Sequence, residues 1–283
     1  MHQSITQTNI TRVKGANQKQ EIDFLAAEEP LEIRLLFGAA ENRRQQSVSV
    51  TMRTPGQDFD LAIGFLFTEG IIQNIDSIQS IKHCGGFDQN VVRVELKEDV
   101  SVNILKLERN FYTTSSCGVC GKASIDAVRT VCRLEQSVEQ VNFPSDLLIT
   151  LPDKLRKAQS VFDNTGGLHG CALFNNAGNI ILSREDVGRH NAVDKLVGAA
   201  LQQNLFPLHQ YILLLSGRAS FELIQKAWMA GIQMIAAVGA PSSLAVQMAS
   251  EQGITLAGFL RNGGFNIYSG EHRIIISEYE DSH

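Results

Sequence analysis

The sequence predicts an α/β protein, mixed α+β overall, with a small N-terminal α+β domain and a larger C-terminal α/β domain. Its 283 residues are about twice the length of an average domain. From residue 168 onward, short apolar strand segments alternate with helical segments. Before that series, residues 113–122 consist mainly of Ser, Thr, Gly and Cys, which favour a loop. We expect a flexible tail at 1–20, a first domain at 21–110, a mobile cysteine loop at 111–123 and a second domain at 124–283.

Composition excludes several classes of protein. With 43% hydrophobic and 19% charged residues, the chain is typical of a globular protein. The net charge of -5 gives no overall basic field for nucleic acid or anionic lipid, so an anion site must be local. Five cysteines are too few for a disulfide scaffold, residues 1–20 lack the apolar core of a secretory signal, and no apolar run reaches membrane-spanning length. We therefore expect a cytoplasmic protein that binds neither nucleic acid nor membrane.

The first domain shows three local signals. Apolar and polar residues alternate at 48–52, the pattern of a strand with one buried face. Thr54-Pro55 and Gln57 supply the N-cap, first-turn proline and capping-box partner of a helix. Two strands, 77–83 and 91–96, flank a Gly-Gly pair and predict a hairpin.

The second domain is a series of strands and helices. A capped helix is expected at 153–162, after a linker that contains Pro144 and Pro152. The expected strands are 168–174, 179–183, 211–215, 234–238 and 254–260, and helices follow those that end at 183, 215 and 238. Because ligands of α/β sheets bind at the carboxyl ends of the strands, the loops there should form a crevice.

These loops carry small residues and four arginines, which are Arg184, Arg189, Arg218 and Arg261. The N-termini of helices after such loops favour anions, so this edge is suited to phosphate groups. The alternative is that Gly and Ser form tight turns and the arginines are solvated. Neither a Walker A nor a GxGxxG sequence is present. Four such loops in series favour a binding site.

Cys117 and Cys120 form a glycine-flanked CxxC just before a helical segment. A helix N-terminus lowers the pKa of a thiol, and the thiolate is the reactive form. Half of a zinc site is one alternative, but the sequence has no second CxxC, and His169, or His83 with Cys84, would have to complete it. A dithiol oxidoreductase fits poorly with the Ser/Thr stretch before the motif. A mobile carrier that holds sulfane sulfur as a persulfide fits better.

Two histidines are further candidates. His190 and Asp194 are four residues apart on one helix, so the carboxylate could orient the imidazole, and capping or ion pairing explains these charges equally well. His169 follows a Gly-Gly-Leu segment, and an isolated histidine of this kind is more often structural than catalytic. Cys132 and Cys171 are expected to be small buried residues without a chemical role.

Taken together, these segments resemble the FdhD-type accessory sulfurtransferases of formate dehydrogenase. The similarity covers most of the chain after residue 30, and the ordered set of segments is specific to this family. The matching segments are Thr54-Pro55, Gly64-Phe65-Leu66, Glu69-Gly70, residues 116–121, Thr165-Gly166 with His169, residues 185–195, residues 216–220 with Glu222, and residues 258–261.

The resemblance implies a C-terminal domain of cytidine-deaminase-like fold without the deaminase zinc motif. It also implies a sulfurtransferase that accepts a persulfide sulfur from a cysteine desulfurase and passes it to the molybdenum or tungsten bis(pterin guanine dinucleotide) cofactor of formate dehydrogenase. Cys117 would be the persulfide carrier and Cys120 its partner. The expected cofactor-binding residues are Phe259, Leu260, Arg261, Asn262, Gly263 and Gly264, with His169, Arg189, His190, Ser216 and Arg218 at the same edge. We expect a homodimer, because the cofactor has two pterin halves. We expect the protein to have no metal site of its own.

Two other functions are alternatives. A chaperone would bind the cofactor and apo-formate dehydrogenase without carrying sulfur, and a zinc-stabilised regulatory module would contain stoichiometric metal. Molybdenum and tungsten are both compatible with the sequence. Cys120 has two possible roles, receiving the sulfur or only releasing it.

Overall fold

A computed structural model of the protein describes residues 4–84, 90–102 and 141–276. The predicted cysteine loop, with Cys117 and Cys120, and the expected domain boundaries at 110 and 123 lie outside these residues. The mixed α/β class is confirmed, because sheets and helices alternate through the described chain. The cytidine-deaminase-like assignment and the domain boundaries stay predictions. Across the described ranges, no helix combines the length and apolar character needed to cross a bilayer.

The chain begins with a hairpin of two strands, β1 (Ile5–Lys14) and β2 (Asn17–Ala26). The flexible tail expected at 1–20 is therefore wrong for the residues of β1 and the start of β2. Low hydrophobicity suggested disorder, but the segment is rich in Thr, Ile and Val, which favour extended backbone. The turn between the strands has two residues, a length that suits antiparallel pairing.

A four-stranded sheet follows, in the order β4-β3-β6-β5. Its strands are β3 (Glu29–Phe37), β4 (Arg44–Arg53), β5 (Ile78–His83) and β6 (Val91–Leu96). The predicted hairpin of β5 and β6 is confirmed. The strand at 48–52 is also confirmed, but the expected burial of Val50 and Met52 is wrong, because they are 46% and 38% exposed. A bulge in the pairing of β3 with β4 reverses the alternation after Val48.

The first helix, α1 (Asp58–Thr68), begins later than the predicted N-cap at Thr54. Gln57 precedes the first helical residue with a φ of 52°, and no side chain caps this end. Thr54 has no capping role, because its polar groups bind the second half of the molecule instead.

The remaining elements surround a six-stranded sheet. They are β7 (Phe143–Pro144), α2 (Ser145–Ala158), α3 (Ser160–Thr165), β8 (His169–Phe174), β9 (Ile180–Asp186), α4 (Arg189–Gln202), β10 (Ile212–Leu215), α5 (Phe221–Met229), β11 (Met234–Ala237), α6 (Ser243–Glu251), β12 (Thr255–Arg261), β13 (Gly264–Ser269) and β14 (Ile274–Ile275). The helix expected at 153–162 is in fact two helices. The chain continues helically through Pro152 and breaks at Gln159.

The large sheet has the order β13-β12-β11-β10-β8-β9. Strands β10, β11 and β12 are parallel, and β9 runs with them because β8 is antiparallel to both of its neighbours. The carboxyl ends of β9 to β12 therefore meet at one edge, together with the start of β8, as the sequence predicts. Alternate strand residues pack against α4, α5 and α6 on one face and against α2 on the other.

Helix α1 lies directly on α4, and this contact joins the N-terminal elements to the large sheet. A Cβ atom on Gly64 would lie 1.8 Å from the carbonyl oxygen of Asp194, and one on Gly198 would lie 1.9 Å from that of Asp60. Glycine at both positions lets the two backbones touch. One hydrophobic core consequently runs from the four-stranded sheet to the large sheet.

Candidate functional site

The loops at the carboxyl edge of the large sheet are joined side by side through their backbones. Ser216, just after β10, donates its N–H to the carbonyl of Gly170 at 2.9 Å. Its hydroxyl accepts the N–H of Gly170, also at 2.9 Å. This pair fixes the start of β8, with His169, against the loop that contains Gly217 and Arg218.

The same row continues across the next two strands. Gly239, after β11, donates its N–H to the carbonyl of Gly217 at 3.0 Å, and Phe259 donates to the carbonyl of Gly239 at 3.1 Å. A Cβ atom on Gly217 would lie 3.3 Å from Nδ1 of His169, and one on Gly239 would lie 3.0 Å from the amide nitrogen of Arg218. Small residues at these loops therefore allow close packing of the row and are more than generic turn residues.

Three of the four predicted arginines are available for an anion. Arg218 and Arg261 are exposed and Arg189 is half-buried, and within the described part of the chain none of them pairs with a carboxylate. The guanidinium of Arg261 lies 5.4 Å from the ring centre of Phe259. Arg184 is different, because Asp60 on α1 accepts from its Nε and Nη2 at 2.9 and 2.7 Å. The expectation that Arg184 serves the anion site is wrong.

The helix N-termini at this edge are bound by the protein's own side chains. Asp186 accepts the N–H of Gly188 at 2.8 Å before α4, and Ser242 accepts the N–H of Ala245 at 3.3 Å in α6. Glu222 accepts from its own backbone N–H in the first turn of α5. An anion at this edge would therefore bind the free arginines and the amides of Gly217 and Arg218, which donate to no acceptor in the described chain.

His169 lies in a half-buried position beside this loop. Burial lowers its pKa first of all, and the positive charges of Arg189 and Arg218 lower it further. The imidazole is consequently held neutral next to the cations. A neutral imidazole can accept or donate a hydrogen bond at a ligand without adding charge.

His190 contacts a different carboxylate from the one expected. Its Nε2 atom lies 3.4 Å from the Ser220 hydroxyl and 3.8 Å from Oε2 of Glu222. Asp194, one turn further along α4, instead accepts from Thr68 at 2.7 Å and from Lys226 on α5 at 3.0 Å. The predicted pairing of His190 with Asp194 is wrong, because tertiary contacts rather than helical spacing select the partner.

Glu222 is a charged neighbour of the site that spacing alone missed. Burial raises its pKa, but hydrogen bonds from His190, from its own backbone and from Ser220 outweigh burial and lower the pKa to about 2. The carboxylate is therefore ionised, and it holds the His190 side chain in the first turn of α4, beside the carboxyl edge of the sheet.

The predicted segment 259–264 divides into two parts. Phe259 belongs to the backbone row, whereas the Leu260 side chain is fully buried in the core and can offer a ligand only its backbone. Asn262 and Gly263, with φ of 54° and 74°, form the two-residue turn between β12 and β13. Gly263 and Gly264 line a groove of about 600 Å³ at the first turn of α2.

The described cysteines are consistent with structural roles. Cys171 is fully buried, and burial raises the pKa of its thiol well above the usual range, so it remains protonated. Cys84 is half-buried. Cys117, Cys120 and Cys132 lie outside the described residues. Among residues 4–84, 90–102 and 141–276, no three His, Cys, Asp or Glu side chains come together in a metal-binding arrangement.

The fold and the site define a mixed α/β protein with a cationic edge at the carboxyl ends of its strands. The model of the FdhD/NarQ family matches residues 26–275. The chain belongs to this family.

Curated relatives and a solved structure match this chain over nearly its whole length. The chain is 53% identical over 274 residues to the sulfur carrier protein FdhD of Streptomyces avermitilis, covering 94% of each sequence. It is 40% identical over 266 residues to the sulfur carrier protein FdhD of Saccharolobus solfataricus, covering 94% of this chain and 96% of the relative. A crystal structure described as that of a formate dehydrogenase accessory protein from Desulfotalea psychrophila superimposes with a TM-score of 0.74 at 22% identity, covering 96% of this chain and 100% of that one. This likeness shows the shared fold.

Proposed function

We propose that this protein is a sulfur carrier that acts in the maturation of formate dehydrogenase. Relatives at 40–53% identity over nearly the whole chain carry the name sulfur carrier protein, and the sequence contains the CxxC pair Cys117 and Cys120. The observation that carries the proposal is this edge, where Arg189, Arg218 and the amides of Gly217 and Arg218 lie near the neutral His169 and have no acceptor within the described residues. This chemistry suits a phosphate-bearing acceptor of the sulfur.

Loading of the carrier is a thiol exchange. The Cys117 thiolate attacks the terminal sulfur of a persulfide on a cysteine desulfurase. A new S–S bond forms on Cys117, the old S–S bond breaks, and the desulfurase cysteine leaves as a thiolate. No external oxidant or reductant is needed, because the sulfane sulfur only changes its carrier.

The proposed acceptor is the molybdenum or tungsten bis(pterin guanine dinucleotide) cofactor, which the protein would bind as a substrate. Its pyrophosphates would bind Arg189, Arg218 and the amides of Gly217 and Arg218, and Arg261 would extend the cationic surface past Phe259. His169 would contribute a neutral hydrogen-bonding group beside the phosphates. We further propose that the protein works in the cytoplasm as a homodimer, with one copy for each half of the cofactor.

Intact-mass measurement after incubation with a cysteine desulfurase and cysteine tests the proposal. We expect the wild-type protein to gain the mass of one sulfur atom, and dithiothreitol to remove it. Cys117→Ala should abolish the gain, and Cys132→Ala is the control that should keep it. Cys120→Ala shows whether this residue receives the sulfur, since a receiving role predicts that the variant still loads but cannot deliver. A Cys117→Ala protein that still supports active formate dehydrogenase would make the protein a cofactor chaperone instead.

A further inference from the structure

We infer that Thr54 is a positioning residue for the anion site, because it fixes the turn that carries Arg189. Thr54 lies in the loop before α1, among the N-terminal elements, and is separated in sequence by more than a hundred residues from every residue of the anion site. It touches none of the proposed ligand atoms. The inference rests on the proposed function only for what the turn binds.

All three polar groups of Thr54 are bonded to the segment from Asp186 to Lys195. Its N–H donates to Oδ2 of Asp186 at 3.1 Å, and its carbonyl accepts from Nζ of Lys195 at 2.8 Å. Its hydroxyl oxygen accepts the N–H of Val187 at 3.2 Å. The bonds to Asp186 and Val187 hold the turn between β9 and α4, and the bond from Lys195 ties Thr54 to α4 itself.

Asp186 is the centre of this cluster and is fully buried. Its Oδ1 accepts the N–H of Gly188 at 2.8 Å and the side-chain amide of Asn191 at 3.0 Å. Its Oδ2 accepts from Thr54 and from the buried Lys195, at 2.7 Å for the latter. Both oxygens are therefore satisfied, and the amides of two consecutive residues, Val187 and Gly188, are held by Thr54 and Asp186.

The position of Arg189 follows from these bonds. Arg189 is the next residue after the two held amides and is the first residue of α4. Asp186 also lies opposite His169 in the antiparallel pairing of β9 with β8. Loss of the Thr54 hydroxyl would remove the acceptor of the half-buried N–H of Val187, and the turn would shift as this N–H takes another partner. Movement of the turn would displace the Arg189 guanidinium relative to His169.

Two substitutions separate the hydroxyl from the rest of the side chain. Thr54→Val removes only the hydroxyl, and Thr54→Ser keeps it. Thr68→Val is the matched control, because Thr68 is similarly buried and its hydroxyl also bonds across the interface with the second half of the molecule, where it donates to Asp194 on α4. The probe is guanosine diphosphate, titrated calorimetrically into the full-length protein. Urea unfolding of each variant gives its stability.

We expect Thr54→Val to lower the affinity for guanosine diphosphate about tenfold, the effect of a misplaced charged contact. Thr54→Ser should stay within about twofold of the wild type. Thr68→Val should be destabilised as much as Thr54→Val and bind the nucleotide as the wild type does. If Thr54→Val and Thr68→Val are equal in both affinity and stability, Thr54 is merely structural and the inference is wrong.

Amide hydrogen exchange of the ligand-free proteins tests directly whether Thr54 holds the turn. Thr54→Val should speed the exchange of Val187 and Gly188 at least about tenfold relative to Thr68→Val. Equal exchange in the two variants would overturn the inference. If wild-type protein binds no guanosine diphosphate, the proposed cofactor site fails, while the exchange rates still show whether Thr54 holds the turn.

Discussion

Two buried polar clusters join the N-terminal elements to α4, and they differ in what they hold. The edge cluster consists of Thr54, Asp186, Asn191 and Lys195, and the inner cluster consists of Thr68, Glu69, Asp194 and Lys226. Each contains a threonine from the region of α1, a buried aspartate and a buried lysine. The edge cluster binds backbone amides of a turn, whereas the inner cluster connects the side chains of three helices.

This difference shows two uses of the same chemistry. A buried ion pair adds little net stability compared with apolar packing, because desolvation opposes the attraction. In the inner cluster, burial lowers the pKa of Lys226, but Asp194 and Glu69 outweigh it and raise the pKa, so the lysine stays charged and bridges α1, α4 and α5. In the edge cluster, the carboxylate of Asp186 fixes the backbone of the turn before α4 by accepting the N–H of Gly188. A binding loop requires a fixed backbone of this kind.

The largest effect is expected when the inner cluster loses its cation. Lys226→Met leaves Asp194 buried without its ion-pair partner and should destabilise the protein by about 3–5 kcal/mol, measured by urea unfolding. Lys226→Met/Asp194→Asn should recover part of this loss. Guanosine diphosphate affinity of the folded protein should be unchanged in both. A loss below about 1 kcal/mol would contradict the assignment of this cluster to stability.

The helix crossing that both clusters depend on should be the next most sensitive position. Gly198→Ala places a Cβ atom against the backbone of α1 and should destabilise by about 1–3 kcal/mol through overpacking. Gly167→Ala is the control, since a Cβ there meets only an ordinary contact at 3.5 Å. Thermal or urea unfolding of the two variants compares them, and equal stability would show that α1 and α4 can separate freely.

Removal of an arginine at the carboxyl edge should weaken anion binding and leave stability unchanged. Arg218→Ala removes an exposed cation that pairs with no carboxylate among the described residues, so we expect about tenfold weaker guanosine diphosphate binding and a change in stability within about 0.5 kcal/mol. Arg44→Ala, which removes an exposed arginine from β4, should change neither. Binding by Arg218→Ala equal to the wild type would place the anion elsewhere.

The smallest effect is expected from the pH dependence of Glu222. Its pKa is about 2 in the folded protein against 4.5 unfolded, so its contribution to stability is present above pH 4.5 and is lost as the pH falls toward 2. Wild type should therefore be more stable than Glu222→Gln near neutral pH, and the difference should narrow through this acidic window. Urea midpoints at several pH values measure this difference, and a constant difference would show that the hydrogen bonds to Glu222 do not favour its ionised form.

Local signals in the sequence predicted much of the fold. The alternation of strands and helices after residue 168 gave the large sheet and the shared carboxyl edge, because parallel strands separated by helices have few other arrangements. Errors fell where a distant partner overrides a local preference. The bulge against β3 reversed the exposure of Val50 and Met52, and pairing in a hairpin ordered a polar segment that composition alone suggested to be flexible.

The sequence predicted which types of residue lie at the candidate site, but it did not predict which side chains bond to one another there. The edge position of Arg189, Arg218 and Phe259 follows from where strands end, and that of His169 from the start of the antiparallel strand β8. The diversion of Arg184 to Asp60, the pairing of His190 with Glu222 and the burial of Leu260 do not, since each depends on which helix packs over which strand. Thr54 shows this best, because a good N-cap signal describes a residue that binds another turn entirely.

The sequence alone determined the order of strands and helices from β8 to β12, the CxxC pair and the family, because periodicity, turn residues and ordered motifs are carried by the residues themselves. Only the tertiary structure decided which charges are free and which are consumed in buried contacts. The reason is physical: hydrogen bonds and ion pairs act over a few ångströms, and side chains far apart in sequence come within that distance only after the helices and sheets have packed.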